Sequence, residues 1–340
     1  MKAVAVTDVG KIEFVELPMP RFREYECLVK TVVCGLCNGT DLKHIDGLVG
    51  DSHHRHPFIL GHEAVGRVVE VGAKVKKFKI GDLITDPVPA AEDPRYNYIC
   101  AGFCEYGVMQ DTQVMKEMGL DRGAYRRFWD RAGVAPSDMN PAAAAMLVTF
   151  KETYSAVKNF GVGEGADVLI YGDGPNALSL AAMARARGAA WIGMVGHWDE
   201  RLERAARVAR IDQGINAKRA EAQAALDGRR VDIVIDAVGR AGIIQEGFKA
   251  LKRLGKLAVF GVLRNTEPAL DIRAIPTGAS LQMLSWPIGA NDVHEEIVDM
   301  AVSGKIKPSE FYTEVDSWEN IEDAVRRVRS REAFKIILTM

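Results

Sequence analysis

Over the first 110 positions, apolar residues alternate with polar ones in short bursts. The runs 2–7, 11–16, 26–33 and 63–71 are β-branched or period-two stretches broken by turn residues, and Gly81-Asp82 turns into Leu83-Ile84. This pattern predicts a compact, barrel-like β unit. From about residue 140 the period changes. Helical stretches at 141–160, 176–187, 200–210 and 245–251 alternate with apolar strands at 167–171, 191–195, 231–237 and 256–262. Strands alternating with helices predict a doubly wound parallel sheet covered on both faces. Helices at 291–303 and 321–328 follow, then a strand at 335–339. This last segment resumes mixed α and β after the doubly wound block ends, so it is assigned to the N-terminal unit. The expected fold class is α/β. Its domains are 1–150 with 286–340, and 151–285.

A length of 340 residues favours two cores over one. The apolar share of 48% and charged share of 26% are those of an ordinary soluble protein. A formal net charge of -2 gives no global field for nucleic acid or anionic membranes. Residues 1–6 read as a strand rather than a secretion signal, and no apolar run reaches spanning length. The expected location is the cytoplasm. The five cysteines (Cys27, Cys34, Cys37, Cys100 and Cys104) are too few and too scattered for a disulfide framework. Cys27 alternates within 26–33 and reads as a buried strand residue.

Two constellations carry chemistry. In the first, Cys37 is followed by Gly61-His62-Glu63. Thiolate, imidazole and carboxylate together suit zinc, which accepts S, N and O ligands. Asp41 is placed to fix the imidazole tautomer. Cys34 and Cys37 also form a CxxC, the spacing of a redox dithiol, but Asn38-Gly39 brings turn chemistry where such a motif opens a helix. The second constellation is Gly172-Asp173-Gly174-Pro175-Asn176-Ala177, between an apolar strand and an Ala-rich helix. Gly172 permits the tight turn, Gly174 the close approach of a pyrophosphate, and Ala177 the packing of helix on strand. Pro175 opens a helix whose N–H groups from Asn176 and Ala177 onward, with the helix dipole, favour phosphate. The residue ending the second strand, where an acid would accept the ribose hydroxyls, is Gly196. Its small size leaves room for a 2'-phosphate. His197 and Arg201 are candidate phosphate partners, Trp198 a candidate for stacking on adenine, and Asp199 and Glu200 lie close by. NADP is therefore favoured over NAD. Val238 and Gly261 end the third and fourth strands, where backbone groups border a bound nicotinamide.

These motifs stand in one order: Cys34-Gly35-Leu36-Cys37, Thr40-Asp41, Gly61-His62-Glu63-Ala64-Val65-Gly66, Gly81-Asp82, Gly172-Asp173-Gly174-Pro175 and Asp236-Ala237-Val238-Gly239. In this the chain resembles the zinc-dependent medium-chain alcohol dehydrogenases. The resemblance implies a GroES-like β-rich catalytic domain wrapped around a Rossmann domain, with the site in the cleft between them. It implies that Cys37 and His62 ligate one catalytic zinc, that Glu63 is a ligand or a close alternate, and that Thr40 passes the substrate proton outward. The expected reaction moves a hydride between NAD(P) and a small-molecule alcohol or polyol, or its carbonyl product, in a homodimer or homotetramer.

The chain departs from the family pattern at several positions. Three residues rather than two separate Cys37 from Asp41, and Lys43 stands where a relay histidine is common, with His44 beside it. The family draws a further ligand from a helix before the Rossmann domain. That position falls near Leu147 or Val148, which cannot bind zinc, so Glu152, one turn on, is the candidate. Between residues 86 and 104 only Cys100 and Cys104 remain of the four cysteines a structural zinc would need, so one zinc is expected and Cys104 packs as a small hydrophobe. A cationic aromatic stretch at 125–131, Trp286 and the loop 47–56 are candidate pocket elements. Two other readings stay open: a zinc-free NADPH-dependent quinone or enone reductase of the same fold, and a non-catalytic nucleotide-binding scaffold.

Overall fold

The structure, a computed structural model, describes residues 1–49, 56–87, 93–98, 101–120, 133–284 and 288–340. The chain divides into two compact units, Met1–Thr149 with Ala290–Met340, and Phe150–Gly289. The first unit begins with β1 (Lys2–Asp8), β2 (Lys11–Glu16), β3 (Glu26–Gly35), α1 (Thr40–Ile45), β4 (Phe58–Ile59) and β5 (Glu63–Val71). There follow β6 (Leu83–Thr85), β7 (Asn97–Tyr98), β8 (Tyr106–Gln110), α2 (Thr112–Glu117) and β9 (Gly133–Ala135), and the long α3 (Pro141–Asn159) begins in the first unit and ends in the second. The second unit contains β10 (Asp167–Tyr171), α4 (Pro175–Ala186), β11 (Trp191–Gly196), α5 (Asp199–Val208) and β12 (Gln213–Asn216). It continues through α6 (Ala222–Ala225), β13 (Val231–Asp236), α7 (Ala241–Gly247), β14 (Leu251–Val259) and β15 (Ser280–Met283). The chain then returns to the first unit with α8 (His294–Val302), β16 (Glu314–Ser317), α9 (Ile321–Ser330) and β17 (Ile336–Thr339).

In the first unit, β3 is the central strand. It pairs antiparallel with β5, β8 and β17. Because both its faces are covered, it is buried almost end to end and reads as an apolar run rather than a strict alternation. The register sets Gly35 opposite Glu63 on one side and Ile337 on the other. The C-terminal segment is thus part of the same sheet as the early strands. Helix α9 buries Ile321, Ala324, Val325 and Val328, the i, i+3, i+4, i+7 stripe of an amphipathic helix. That stripe packs with Val4, Leu36, Phe58, Phe103, Trp318, Ile336 and Leu338 in one core. Each buried Val, Leu, Ile or Phe contributes about 1.5–3 kcal/mol, so the terminal segment is a substantial part of the unit's stability.

The second unit is a parallel sheet in the order β12-β11-β10-β13-β14-β15. Its apolar core includes Leu169, Tyr171, Val195, Val234, Ile244, Phe248, Leu257 and Val259. The α/β class with a β-rich GroES-like part and a Rossmann-like parallel sheet is as expected. Local elements differ. Strand β12 lies in a Gln, Gly and Asn stretch with weak strand propensity, and it forms because it pairs in register with β11 and buries Ile215. The helix expected at 245–251 starts earlier, at Ala241, and β14 already begins at Leu251, paired with Val231 across a register shift.

Gly61 leads into β5. Its φ is +95°, and a Cβ there would stand 2.5 Å from Phe103 Cδ2 and 2.9 Å from the Phe103 backbone N. Both the turn and the space demand glycine. Gly61→Ala should destabilise the protein by about 1–3 kcal/mol. Chemical denaturation checks this, and an unchanged midpoint would contradict it.

Candidate metal and dinucleotide sites

Cys37 lies in the bend between β3 and α1, with its side chain buried. Asp41, also buried, organises that bend. One carboxylate oxygen accepts the Cys37 N–H at 2.9 Å, and the other meets His62 Nδ1 at 3.1 Å. The tie through Nδ1 leaves Nε2 as the imidazole's metal-facing nitrogen. The Thr40 N–H donates to Cys37 Sγ at 3.5 Å. One potential ligand atom from each of Cys37, His62 and Glu63 falls within 4.8 Å of the others, the group of this kind found among the described residues. Zinc, with bonds of about 2.0–2.3 Å, would need them at about 3.5 Å, a small contraction. The donor set fits zinc.

Two residues that the sequence reading did not single out shape this group. Lys335, fully buried just before β17, forms an ion pair with Glu63 Oε2. The Thr149 hydroxyl donates to Glu63 Oε1 at 3.2 Å. On α3, then, the residue that reaches Glu63 is Thr149, next to the Leu147 and Val148 reached by counting back. Leu147 and Val148 are core residues. Glu152 is half-buried on the part of α3 that belongs to the second unit. Lysine is ordinarily a surface residue, and Lys335 lies outside any motif. The available signal was its place in the apolar closing strand.

Burial alone would lower the His62 pKa. The Asp41 carboxylate, and then Cys37, more than offset this and hold it well above the usual value. Burial would raise Glu63, yet Lys335 and His62 keep its carboxyl below the usual range. Lys335 itself stays above its ordinary value, with Glu63 overcoming the burial that would lower it. Cys34 is different. Burial first, then the Asp41 and Glu63 charges, push its thiol well upward, and it packs in the apolar core. A dithiol role needs a thiolate, which this position disfavours. Cys27 and Cys104 are likewise buried, and Cys104 packs with Ala3, Ala5, Leu17 and Ile59. Cys100, Trp286, residues 125–131 and most of the loop 47–56 lie outside the described residues. His44 packs edge-on against Phe58 at 5.7 Å between centroids, and Lys43 shares its helix.

In the second unit, Gly172 has φ +124°, and a Cβ there would lie 3.2–3.4 Å from Val238, Ala177 and Ala237. Gly174 caps α4, and a Cβ there would meet nothing within 4 Å. Pro175 occupies the first turn and Ala177 is buried against Gly172. Strand, open glycine turn and helix N-terminus fit a pyrophosphate. The Val238 and Gly261 amides are engaged within the protein. Asp236 accepts from Val238 N at 2.8 Å and Gly239 N at 2.9 Å, and its carbonyl accepts from Gly261 N at 2.9 Å. Those two amides therefore shape the turn rather than offer donors.

At the adenosine end the expectation changes. The space beside Gly196 is filled: a Cβ there would lie 2.6 Å from Asp173 Cβ and 2.8 Å from Asp173 Oδ2. Arg201 faces Asp173 Oδ1 at 3.8 Å, and Lys218 Nζ sits 3.6 Å over the Trp198 ring. Gly196 accommodates an acid instead of leaving a void for phosphate. Arg201 is paired, and one face of Trp198 is covered.

Residues 23–130 match the family model described as "Alcohol dehydrogenase GroES-like domain", and 177–302 match "Zinc-binding dehydrogenase". The chain belongs to the zinc-dependent medium-chain alcohol/polyol dehydrogenase family. A sorbitol dehydrogenase of Bacillus subtilis is 27% identical over 96% of this chain and 93% of its own. A D-xylulose reductase A of Aspergillus oryzae is 28% identical over 97% and 94%. Alcohol dehydrogenase TADH from Thermus sp. ATN1 shares the fold, with a TM-score of 0.81 at 20% identity over all of both chains.

The site yields two expectations. Lys335→Met would strand the buried Glu63 charge and destabilise this dehydrogenase by about 3–5 kcal/mol, whereas Glu63→Gln with Lys335→Met should recover part of that loss. Equal denaturation midpoints for the single and double variants would contradict the pairing. Zinc must displace the proton that His62 retains above its usual pKa, so affinity of the metal-free protein for zinc should rise with pH through and beyond neutrality, by up to about tenfold per unit for each proton displaced. Competition with a chromogenic chelator measures this, and a flat profile would contradict it.

Proposed function

We propose that this chain is an NAD(P)-dependent oxidoreductase acting on the CH–OH group of a small alcohol or polyol, or in reverse on its carbonyl. The observation that carries the reading is the convergence of Cys37, His62 and Glu63, with Asp41 orienting the imidazole, in a chain whose other unit has a dinucleotide-type glycine turn. When bound, zinc would supply Lewis acidity at the substrate oxygen and the nicotinamide the hydride acceptor or donor. Cys37 and His62 would hold the metal, with Glu63 as ligand or close alternate and Glu152 a candidate further ligand. Asp41 keeps His62 Nε2 available. In oxidation the substrate carbon loses a hydride to the nicotinamide and the hydroxyl loses its proton, for which the Thr40 hydroxyl is the proposed exit. Lys335 and Thr149 hold the Glu63 carboxylate.

The sorbitol and xylulose relatives support polyols as the substrate class. The preference for NADP loses its support once Asp173 fills the space beside Gly196. A homodimer or homotetramer in the cytoplasm completes the reading. No helix among the described residues is long and apolar enough to cross a membrane.

The purified protein should contain one zinc per chain and oxidise sorbitol, xylitol or short secondary alcohols. Cys37→Ala should lose the metal and at least about a thousandfold in kcat/KM, the scale of several kcal/mol of charge stabilisation. Elemental analysis and steady-state rates check both. A zinc-free preparation with full alkene reduction would instead support the quinone or enone reductase reading.

A further inference from the structure

We infer that Asp173, within the glycine turn, is the coenzyme-specificity residue of this dehydrogenase and selects NAD over NADP. The inference rests on the dinucleotide reading of the second unit and deepens it. An acid that accepts the adenosine ribose hydroxyls is ordinarily carried at the end of the second strand. Here that position is Gly196, and the carboxylate arrives from the neighbouring turn after β10.

Three observations make the assignment. First, Asp173 occupies the space that a side chain at Gly196 would need, so glycine at 196 and acid at 173 are one arrangement. Second, Asp173 Oδ2 accepts the backbone N–H groups of His197 at 2.6 Å and Trp198 at 3.1 Å. These are the amides that the chain offers just after β11, where a 2'-phosphate would look for donors. With the carboxylate on them, that phosphate finds neither the space nor the hydrogen bonds. Third, the Asp173 side chain is about seven-eighths buried (13% exposed) and its carboxylate is fixed, so it cannot swing clear without leaving two amides unpaired. The second oxygen, Oδ1, takes no backbone donor among the described residues and has lone-pair capacity for a ribose hydroxyl.

The cations nearby do not reverse the sign. Arg201 faces Asp173 Oδ1 at 3.8 Å, which balances the carboxylate. Lys218 lies over the Trp198 ring, and Arg219 is paired with Asp199. A 2'-phosphate brings about 1.5–2 negative charges, the load of any phosphomonoester near neutral pH. It would have to take Arg201 from an acid already beside it.

The test is equilibrium binding of NADH and NADPH to the purified protein, read by nicotinamide fluorescence or calorimetry, with no substrate present. The wild type should bind NADH at least about tenfold more tightly than NADPH, a difference of about 1.4 kcal/mol. Asp173→Asn, which removes the charge but keeps the shape, should narrow that gap, and Asp173→Gly, which also frees the space and the two amides, should close most of it. Arg201→Gln should keep or widen it, since it removes the cation that faces the acid. Circular dichroism shows whether each variant is folded. If Asp173→Asn does not fold, the wild-type ratio and the Arg201→Gln ratio still decide. Tighter or equal NADPH binding by the wild type, an undiminished gap in folded Asp173→Asn, or a gap that collapses in Arg201→Gln would overturn the inference while leaving the dehydrogenase reading standing. Failure to bind either dinucleotide would remove that reading, and this inference with it.

Discussion

One buried ion pair anchors the candidate metal centre. Glu63 and Lys335 lie 272 positions apart in sequence yet meet inside the first unit with almost no solvent contact. Either charge alone in that place would be costly. Together, with Thr149 on the remaining carboxylate oxygen, they are satisfied, and the satisfaction requires that β3, β5 and the segment entering β17 be correctly registered. Gly35 shows how tight that register is. It sits opposite both Glu63 and Ile337, and a Cβ at that position would run into the Glu63 carboxylate. The glycine is thus a consequence of the ion pair.

The placement of the other ligands follows from the same junction. Strand β3 ends at Gly35 and the chain bends through Leu36 and Cys37, while β5 starts at Glu63 directly after the strained turn at Gly61. The two strand ends are neighbours, so Cys37 and His62 are brought together by sheet pairing. Asp41 then closes the arrangement from α1, with one oxygen for each side. Backbone pairing supplies the coarse position and one carboxylate the orientation. This division suits a metal site, whose ligands must be held before the metal arrives.

Much of this was legible in the sequence, and what was not has a common cause. Cys37, Asp41 and Gly61-His62-Glu63 could be read because local motifs carry them. The α/β class could be read because its periods are strong. Lys335 and Thr149 could not, since their roles come from long-range pairing and neither belongs to a local pattern. Strand β12 escaped for a similar reason: its residues have weak strand propensity, and pairing with β11 overrides it. The space beside Gly196 was not legible either. A glycine where an acid is expected suggests empty space when only one strand is considered. In three dimensions the adjoining turn fills it with Asp173, a residue to which the glycine motif itself assigns no role.

That reversal bears on how charge is distributed in the second unit. Asp236 and Asp173 stand in equivalent situations, at the carboxyl ends of parallel strands β13 and β10. Each turns its carboxylate onto backbone amides of a turn at the same end of the sheet. Asp236 takes Val238, Gly239 and Arg240, and Asp173 takes His197 and Trp198. Amides at such strand ends would otherwise be available to an incoming anion. The first turn of α4 differs: its N-cap Gly174 has no side-chain cap, a Cβ there would meet nothing within 4 Å, and the helix dipole at that end favours an anion. The two acids thus serve the same local end, holding strand-end turns of the sheet in place through their own backbone amides.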